Sequence, residues 1–171
     1  MRNIFLVGMP SSGKSTLGRR LAKELGYTFV DLDQLIVADQ DMSISEIFSR
    51  FGEPYFRETE NRLLQSLPVD SSLLVATGGG APCFYDNMDF ILRSGLGIFL
   101  DVPAEELAAR IKAHAKDDRP LLSGLADLEE ELRKKLEERR HFYSRAHLTL
   151  SPGSDMRDFL LSLPGWLEQK K

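Results

Sequence analysis

The sequence predicts an α/β fold: three layers, helix on sheet on helix, around a five-stranded parallel sheet, with a mobile lid. Two observations carry this. Short apolar runs alternate with longer segments of helical period, as parallel strands do when crossover helices cover both faces. The first apolar run, Ile4–Val7, also empties into Gly8-Met9-Pro10-Ser11-Ser12-Gly13-Lys14-Ser15, a GxxxxGK[ST] loop, and Thr16, Leu17, Leu21, Ala22 and Leu25 continue it at helical spacing.

In chain order the strands are expected near 3–7, 28–32, 73–77, 96–101 and 147–150. Helices are expected near 14–25, 34–41, 44–67, 84–94, 103–114, 125–145 and 155–163. The segment 113–124 has loop composition, closed by Pro120 and Gly124, and is the expected lid. No repeat, low-complexity tract or linker divides the chain, so residues 1–171 are expected to form one domain. A chain of this length buries roughly 70% of its unfolded surface and needs no staples.

With 22 basic and 26 acidic side chains the formal charge is −4, which argues against a duplex-binding surface built on general positive charge. Cys83 is the single cysteine, so no internal disulfide forms, as in a reducing compartment. The apolar runs fall far short of the roughly 20 residues of a membrane span. The N-terminal residues lack the pattern of a secretory signal. A cytoplasmic protein is expected.

The phosphate loop dictates its own chemistry. Gly8 and Gly13 let backbone N–H groups turn inward around phosphate oxygens, and the following helix adds its positive dipole end. Lys14 supplies a point charge to the β- and γ-phosphates, and the Ser15 hydroxyl is placed to ligate Mg²⁺. This fixes a phosphoryl donor and leaves the acceptor open.

After the second strand, Asp31 and Asp33 stand at i and i+2 of an extended chain, at the sheet edge where open α/β folds bind ligands. Asp31 reads as an outer partner of the Mg²⁺. Asp33 reads as the acceptor of a substrate hydroxyl proton, or alternatively as a cap on the helix at Gln34. On the next long helix, a 100° step per residue puts Glu60 within about 40° of Phe56, inside an apolar stripe shared with Leu63, Leu64 and Leu67. A carboxylate there needs a partner, and Arg57 is three residues back. The pair is either a buried ion pair alone or a device by which Glu60 holds Arg57 for an anionic acceptor.

The third strand runs into Gly78-Gly79-Gly80, where many phosphate-loop proteins carry a magnesium-binding Asp. Bare backbone there admits a ligand closely, or marks a flexible turn. On the late helix, Arg139 falls with Leu128, Leu132, Leu136 and Tyr143, whereas Arg140 leans off that stripe. Arg139 either pairs internally or reaches the same cleft as Arg57. Arg119, before Pro120, offers a guanidinium to close over the phosphates. Arg110 and Pro152 are candidates for the two faces of the adenine, or for plain packing. The three histidines have no metal-ligand spacing. Cys83 and Trp166 read as packing residues.

Taken in this order and spacing, the set resembles shikimate kinase, a small member of the nucleoside monophosphate kinase-like fold. The resemblance spans about 3–150 and rests on the phosphate loop, Asp31-Leu32-Asp33, Ser43 to Phe48 with Gly52-Glu53, Phe56-Arg57 with Glu60, Gly78-Gly79-Gly80, Arg119-Pro120-Leu121-Leu122, and Arg139 four before Tyr143. It implies transfer of the γ-phosphoryl of ATP to the 3-hydroxyl of shikimate, on the way to chorismate and the aromatic amino acids. It implies acceptor contacts from Asp33, Arg57, Glu60, Gly78, Gly79, Gly80 and Arg139, one Mg²⁺ at Ser15 with Asp31, and a lid arginine at Arg119. Nucleotide contacts follow from Gly8, Ser11, Ser12, Gly13, Lys14, Ser15, Thr16, Arg110 and Pro152, and acceptor-binding helices from about 34–67. The expected partners are ATP and shikimate, with no nucleic acid, no membrane and a monomeric state. Ser11 departs from the family, which often has Gly there. The alternatives are a related kinase for gluconate or a nucleoside monophosphate, or a sensor that binds without turnover.

Overall fold

The computed structural model describes residues 2–114, 125–154 and 156–168. Five parallel strands form one sheet in the order β2-β3-β1-β4-β5, with β1 at Asn3–Val7, β2 at Thr28–Asp31, β3 at Leu73–Ala76, β4 at Gly95–Leu100 and β5 at Leu148–Leu150. The helices are α1 (Lys14–Leu25), α2 (Leu32–Gln40), α3 (Ile44–Gln65), α4 (Asn87–Ser94), α5 (Ala104–His114), α6 (Leu125–Tyr143) and α7 (Met156–Glu168).

Alternation along the central strand sorts these helices to the two faces. Ile4 and Leu6 of β1 pack with Leu21 and Ala22 of α1 and Leu163 of α7. Phe5 and Val7 face the larger core, made with Leu32 and Ile36 of α2, Leu64 of α3, Leu107 of α5, and Leu132, Leu136 and Tyr143 of α6. Every residue of β1 is buried on both sides, which is why the strand reads as a continuous apolar run. The loops after β1, β2 and β3 thereby meet at one sheet edge, where ligands of open α/β sheets bind.

Four boundaries differ from the expectation. The helix expected near 34–41 starts at Leu32, because the Asp31 side chain caps it by accepting from Asp33 N (3.1 Å) and Gln34 N (3.4 Å). Asp33 therefore lies in the first helical turn and not on an extended chain. The single helix expected over 44–67 is two segments joined at Gly52, whose φ of 80° and ψ of 175° break it two residues before Pro54. The helix expected over 84–94 begins at Asn87, after a tight turn at Ala81–Cys83. The last helix runs to Glu168, past Pro164 and Gly165 where the sequence implied a stop. Of the expected lid, 113–114 end α5, and 115–124 with Arg119 lie outside the described residues.

Candidate active site

The phosphate loop leaves β1 through Gly8 (φ 144°) and enters α1 through Gly13 (φ 95°), both in the half of φ space that side chains disfavour. Ser11, at φ 64°, adopts the left-handed conformation without being glycine, at the position where the family often has Gly. Lys14 is buried and folded back on its own loop. Its Nζ donates to Gly8 O (2.9 Å), Met9 O (2.7 Å) and Ser12 Oγ (3.4 Å). Burial lowers its pKa from 10.5 to about 8, against the opposing pull of Asp33 and Asp31.

A cleft of about 870 Å³ opens beside this loop and is lined by Ser11 through Thr16, Asp31, Asp33, Gly78, Gly79, Arg110, His114 and Pro152. Arg110 lies against the outside of the loop, donating to Ser12 O (3.0 Å) and Ser11 O (3.4 Å) while pairing with Glu106. His114, which the sequence singled out for no role, lines the cleft as well. Gly8, Arg57, Glu60, Gly80 and Arg139 are not part of this lining. Gly8 acts through the carbonyl that holds Lys14, and the other four gather beyond the glycine edge.

The two aspartates divide their work. Asp31 caps α2 with one oxygen and accepts the Ser15 hydroxyl proton with the other, at 2.7 Å. The cap that the sequence left open for Asp33 is therefore made by Asp31. Asp33 is left to face the cleft, its pKa raised by burial and by Asp31, with Lys14 and Arg57 opposing. The same geometry suits Mg²⁺: the Ser15 proton points to Asp31, which leaves the oxygen lone pairs for a cation. Among the described residues no group of three His, Cys, Asp or Glu side chains is placed to hold an ion by itself. Such a site fits an ion carried in on phosphates better than a resident one.

On α3, Glu60 is fully buried. Its Oε2 accepts from Arg57 Nη1 at 2.7 Å, while Oε1 has no hydrogen-bond partner among the described residues. Burial raises its pKa, with Arg57 opposing. Arg57 also donates to Glu53 (3.2 Å), and its guanidinium lies over the rings of Phe84 (4.3 Å) and Phe56 (5.0 Å).

The three glycines stand where these groups converge. A Cβ on Gly78 would come within 2.7 Å of Glu60 Oε1 and 3.1 Å of Asp33 Oδ1, one on Gly79 within 2.5 Å of Pro10 Cδ, and one on Gly80 within 2.5 Å of Arg57 Nη2. The row is an exact fit to its neighbours rather than a flexible turn.

Arg139, on α6, is half-buried; it makes no ion pair among the described residues, and its side chain shares a hydrogen bond with Tyr143, four residues on. Its neighbour Arg140 pairs with Asp101 (3.3 Å) and Glu137 (3.7 Å). The charges of Arg57 and Arg139 both act on Glu60, Cys83 and Tyr143, so both guanidinium groups lie within electrostatic reach of these three side chains. Two residues of this region are absent from the sequence-derived site. The Tyr143 hydroxyl donates to Gly79 O, and Cys83, its thiol pushed up to about 11 by burial, closes the turn after the glycines. A tyrosine at core spacing gives no sign that its hydroxyl has a job. Of the other histidines, His147 accepts from Gly97 N (3.0 Å) and is structural, and His141 is exposed.

A shikimate kinase family model matches residues 10–158. The shikimate kinase of Parabacteroides distasonis is 43% identical over 153 residues, 87% of each chain, and one from Clostridium botulinum is 40% identical over 165 residues, 95% of this chain and 94% of the other. In structure, the shikimate kinase of Bacteroides thetaiotaomicron superposes with a TM-score of 0.83 at 34% identity, over 98% of this chain and 99% of that one. That of Acinetobacter baumannii, in complex with shikimate, does so at 0.81 and 34%, over 96% and 91%. With the model spanning most of the sequence and relatives 40–43% identical over 87–95% of it, this chain belongs to the shikimate kinase family.

Proposed function

We propose that the chain transfers the γ-phosphoryl of ATP to the 3-hydroxyl of shikimate, giving shikimate 3-phosphate and ADP. One observation carries the reading: a phosphate loop with a buried lysine and a free carboxylate, Asp33, share one cleft whose floor is bare glycine backbone. Shikimate bears one carboxylate and three hydroxyls on a ring. The Arg57 and Arg139 guanidinium groups supply the anion contact, the glycine amides supply donors, and Asp33 meets the reacting hydroxyl. Asp33 orients that hydroxyl and takes its proton as the P–O bond forms. Its raised pKa makes it a better base than an exposed aspartate. Glu60 keeps the Arg57 fork in place.

Lys14 leaves the carbonyls of Gly8 and Met9 for the β- and γ-phosphates, and Gly13 and the α1 N-terminus receive the rest of the triphosphate. Arg110 and Pro152 flank the nucleotide end of the cleft. Ser15, backed by Asp31, would hold the Mg²⁺, which neutralises charge on the phosphates. Arg119 is assigned to the lid, where it meets the moving phosphoryl group and helps to exclude water. Catalysis then comes from positioning and charge rather than from covalent chemistry.

ADP release measured side by side with shikimate, gluconate, AMP and CMP tests the reading. ADP formed with shikimate alone supports it, and equal release with gluconate or a nucleotide overturns it. Shikimate binding without ADP would make the chain a sensor. The same reading places a monomer in the cytoplasm, and sedimentation of the purified protein checks the mass.

A further inference from the structure

The turn after β3 has all of its carbonyls occupied. Gly78 O accepts from Ala81 N (3.1 Å), Gly80 O from Cys83 N (2.9 Å), Ala81 O from the buried Asn87 Nδ2 (2.9 Å), and Gly79 O from the Tyr143 hydroxyl. The N–H groups of Gly78, Gly79 and Gly80 donate to no acceptor among the described residues. Three successive free amides with every carbonyl turned away and tied make a donor surface suited to an anion.

Of the four ties, three come from the turn itself or the helix that follows it. The fourth is the exception, because Tyr143 reaches Gly79 from the far end of α6, 64 residues away in sequence. The tyrosine is fully buried, its ring 5.2 Å from that of Phe99; besides Gly79 O its hydroxyl meets Met9 Sδ (3.8 Å) and shares a hydrogen bond with the side chain of Arg139. Pro10 of the phosphate loop closes the other side of Gly79. In a trans peptide the carbonyl and the next N–H point in opposite directions, and this chain has no cis bond among the described residues. Holding Gly79 O therefore also sets the direction of Gly80 N–H, on the residue against which the Arg57 guanidinium rests.

We propose that Tyr143 is a positioning residue of the acceptor site: by holding the Gly79 carbonyl it keeps the Gly80 N–H turned toward the acceptor's carboxylate beside Arg57. This rests on the shikimate reading above. Tyr143 touches no substrate; it acts through the glycine backbone, and its hydrogen bond with Arg139 ties the same phenol to the second guanidinium of the site. Without the hydroxyl, the Gly79–Gly80 peptide plane is free to rotate, and the carboxylate loses a preset donor.

The test is Tyr143→Phe, which keeps the ring and its packing. KM for shikimate should rise about tenfold, the equivalent of one hydrogen bond. KM for ATP and kcat should stay within about twofold of wild type. With the neutral methyl ester of shikimate as acceptor, the variant and wild type should show the same KM. An unchanged KM for shikimate overturns the proposal, and so does an equal penalty on the ester, which would mean general loosening of the site. If the variant does not fold, the Gly80 amide of the ¹⁵N-labelled wild-type protein decides: no shift on adding shikimate refutes the proposal. Wild-type protein that forms no ADP with shikimate would instead refute the underlying reading.

Discussion

Lys14 must keep a positive charge inside a loop that excludes water, and that requirement has a measurable cost. Its exposure is 8%, and its ammonium is met only by the carbonyls of Gly8 and Met9 and the Ser12 hydroxyl. A pKa lowered from 10.5 to about 8 corresponds to about 3 kcal/mol by which the folded state disfavours the charged form. Below pH 8 both folded and unfolded chains carry the proton, so the whole penalty is present. Between pH 8 and 10.5 the folded protein sheds its proton first, and stability gains with pH. Lys14→Met removes the titration while keeping most of the volume. Urea unfolding at pH 7.5 and 9.5 should show wild type gaining about 2 kcal/mol relative to the methionine variant over that interval. Cys83, whose thiol is pushed up to about 11, tilts stability the other way with rising pH, but it does so in both proteins and cancels in the difference. Parallel pH profiles for the two proteins would refute the buried-charge argument. The variant should also release no ADP, because the buried charge is the one the phosphates use.

Asp33→Asn should lower kcat by about a hundredfold or more with KM for ATP nearly unchanged, since a general base typically contributes that much; equal turnover in steady-state kinetics would remove its role. Arg57→Ala and Arg139→Ala should each raise KM for shikimate about tenfold or more, as loss of a charged contact does. Arg57→Ala should in addition cost about 3 kcal/mol in urea unfolding, because it strands the buried Glu60 carboxylate. Adding Glu60→Gln should recover much of that stability and none of the KM. Gly79→Ala drives a methyl to 2.5 Å from Pro10 and should weaken both substrates together, read as parallel rises in both KM values.

What the sequence revealed divides along a physical line. The phosphate loop was legible because phosphate binding forces particular residue types into adjacent positions. The sheet was legible because buried parallel strands are short and apolar. Contacts made across the fold were harder to read. The cap left open as an alternative for Asp33 is made by Asp31, because the helix starts two residues before Gln34. The break at Gly52 lies in a segment of otherwise helical period, and only its φ of 80° reveals it. Arg139 was separable from Arg140 by helical angle alone, but its lack of an ion pair was not. Tyr143 was counted with the leucines, as its spacing requires, and only the carbonyl it meets distinguishes it.

The glycine row explains why donor and acceptor need so little adjustment to meet. Gly79 touches Pro10 of the phosphate loop, Gly78 touches Asp33 and Glu60, and Gly80 touches Arg57. A shift of the loop around Lys14 therefore presses on the glycine row, and no side chain lies between to absorb it. Close-packed backbone is stiff, and stiffness here fixes the distance between two substrates whose reaction depends on alignment. A magnesium-binding Asp after β3, as in many phosphate-loop proteins, would have struck one of these neighbours at the row itself. In this chain Asp31, one strand over, stands beside Ser15 instead, and the backbone after β3 stays bare.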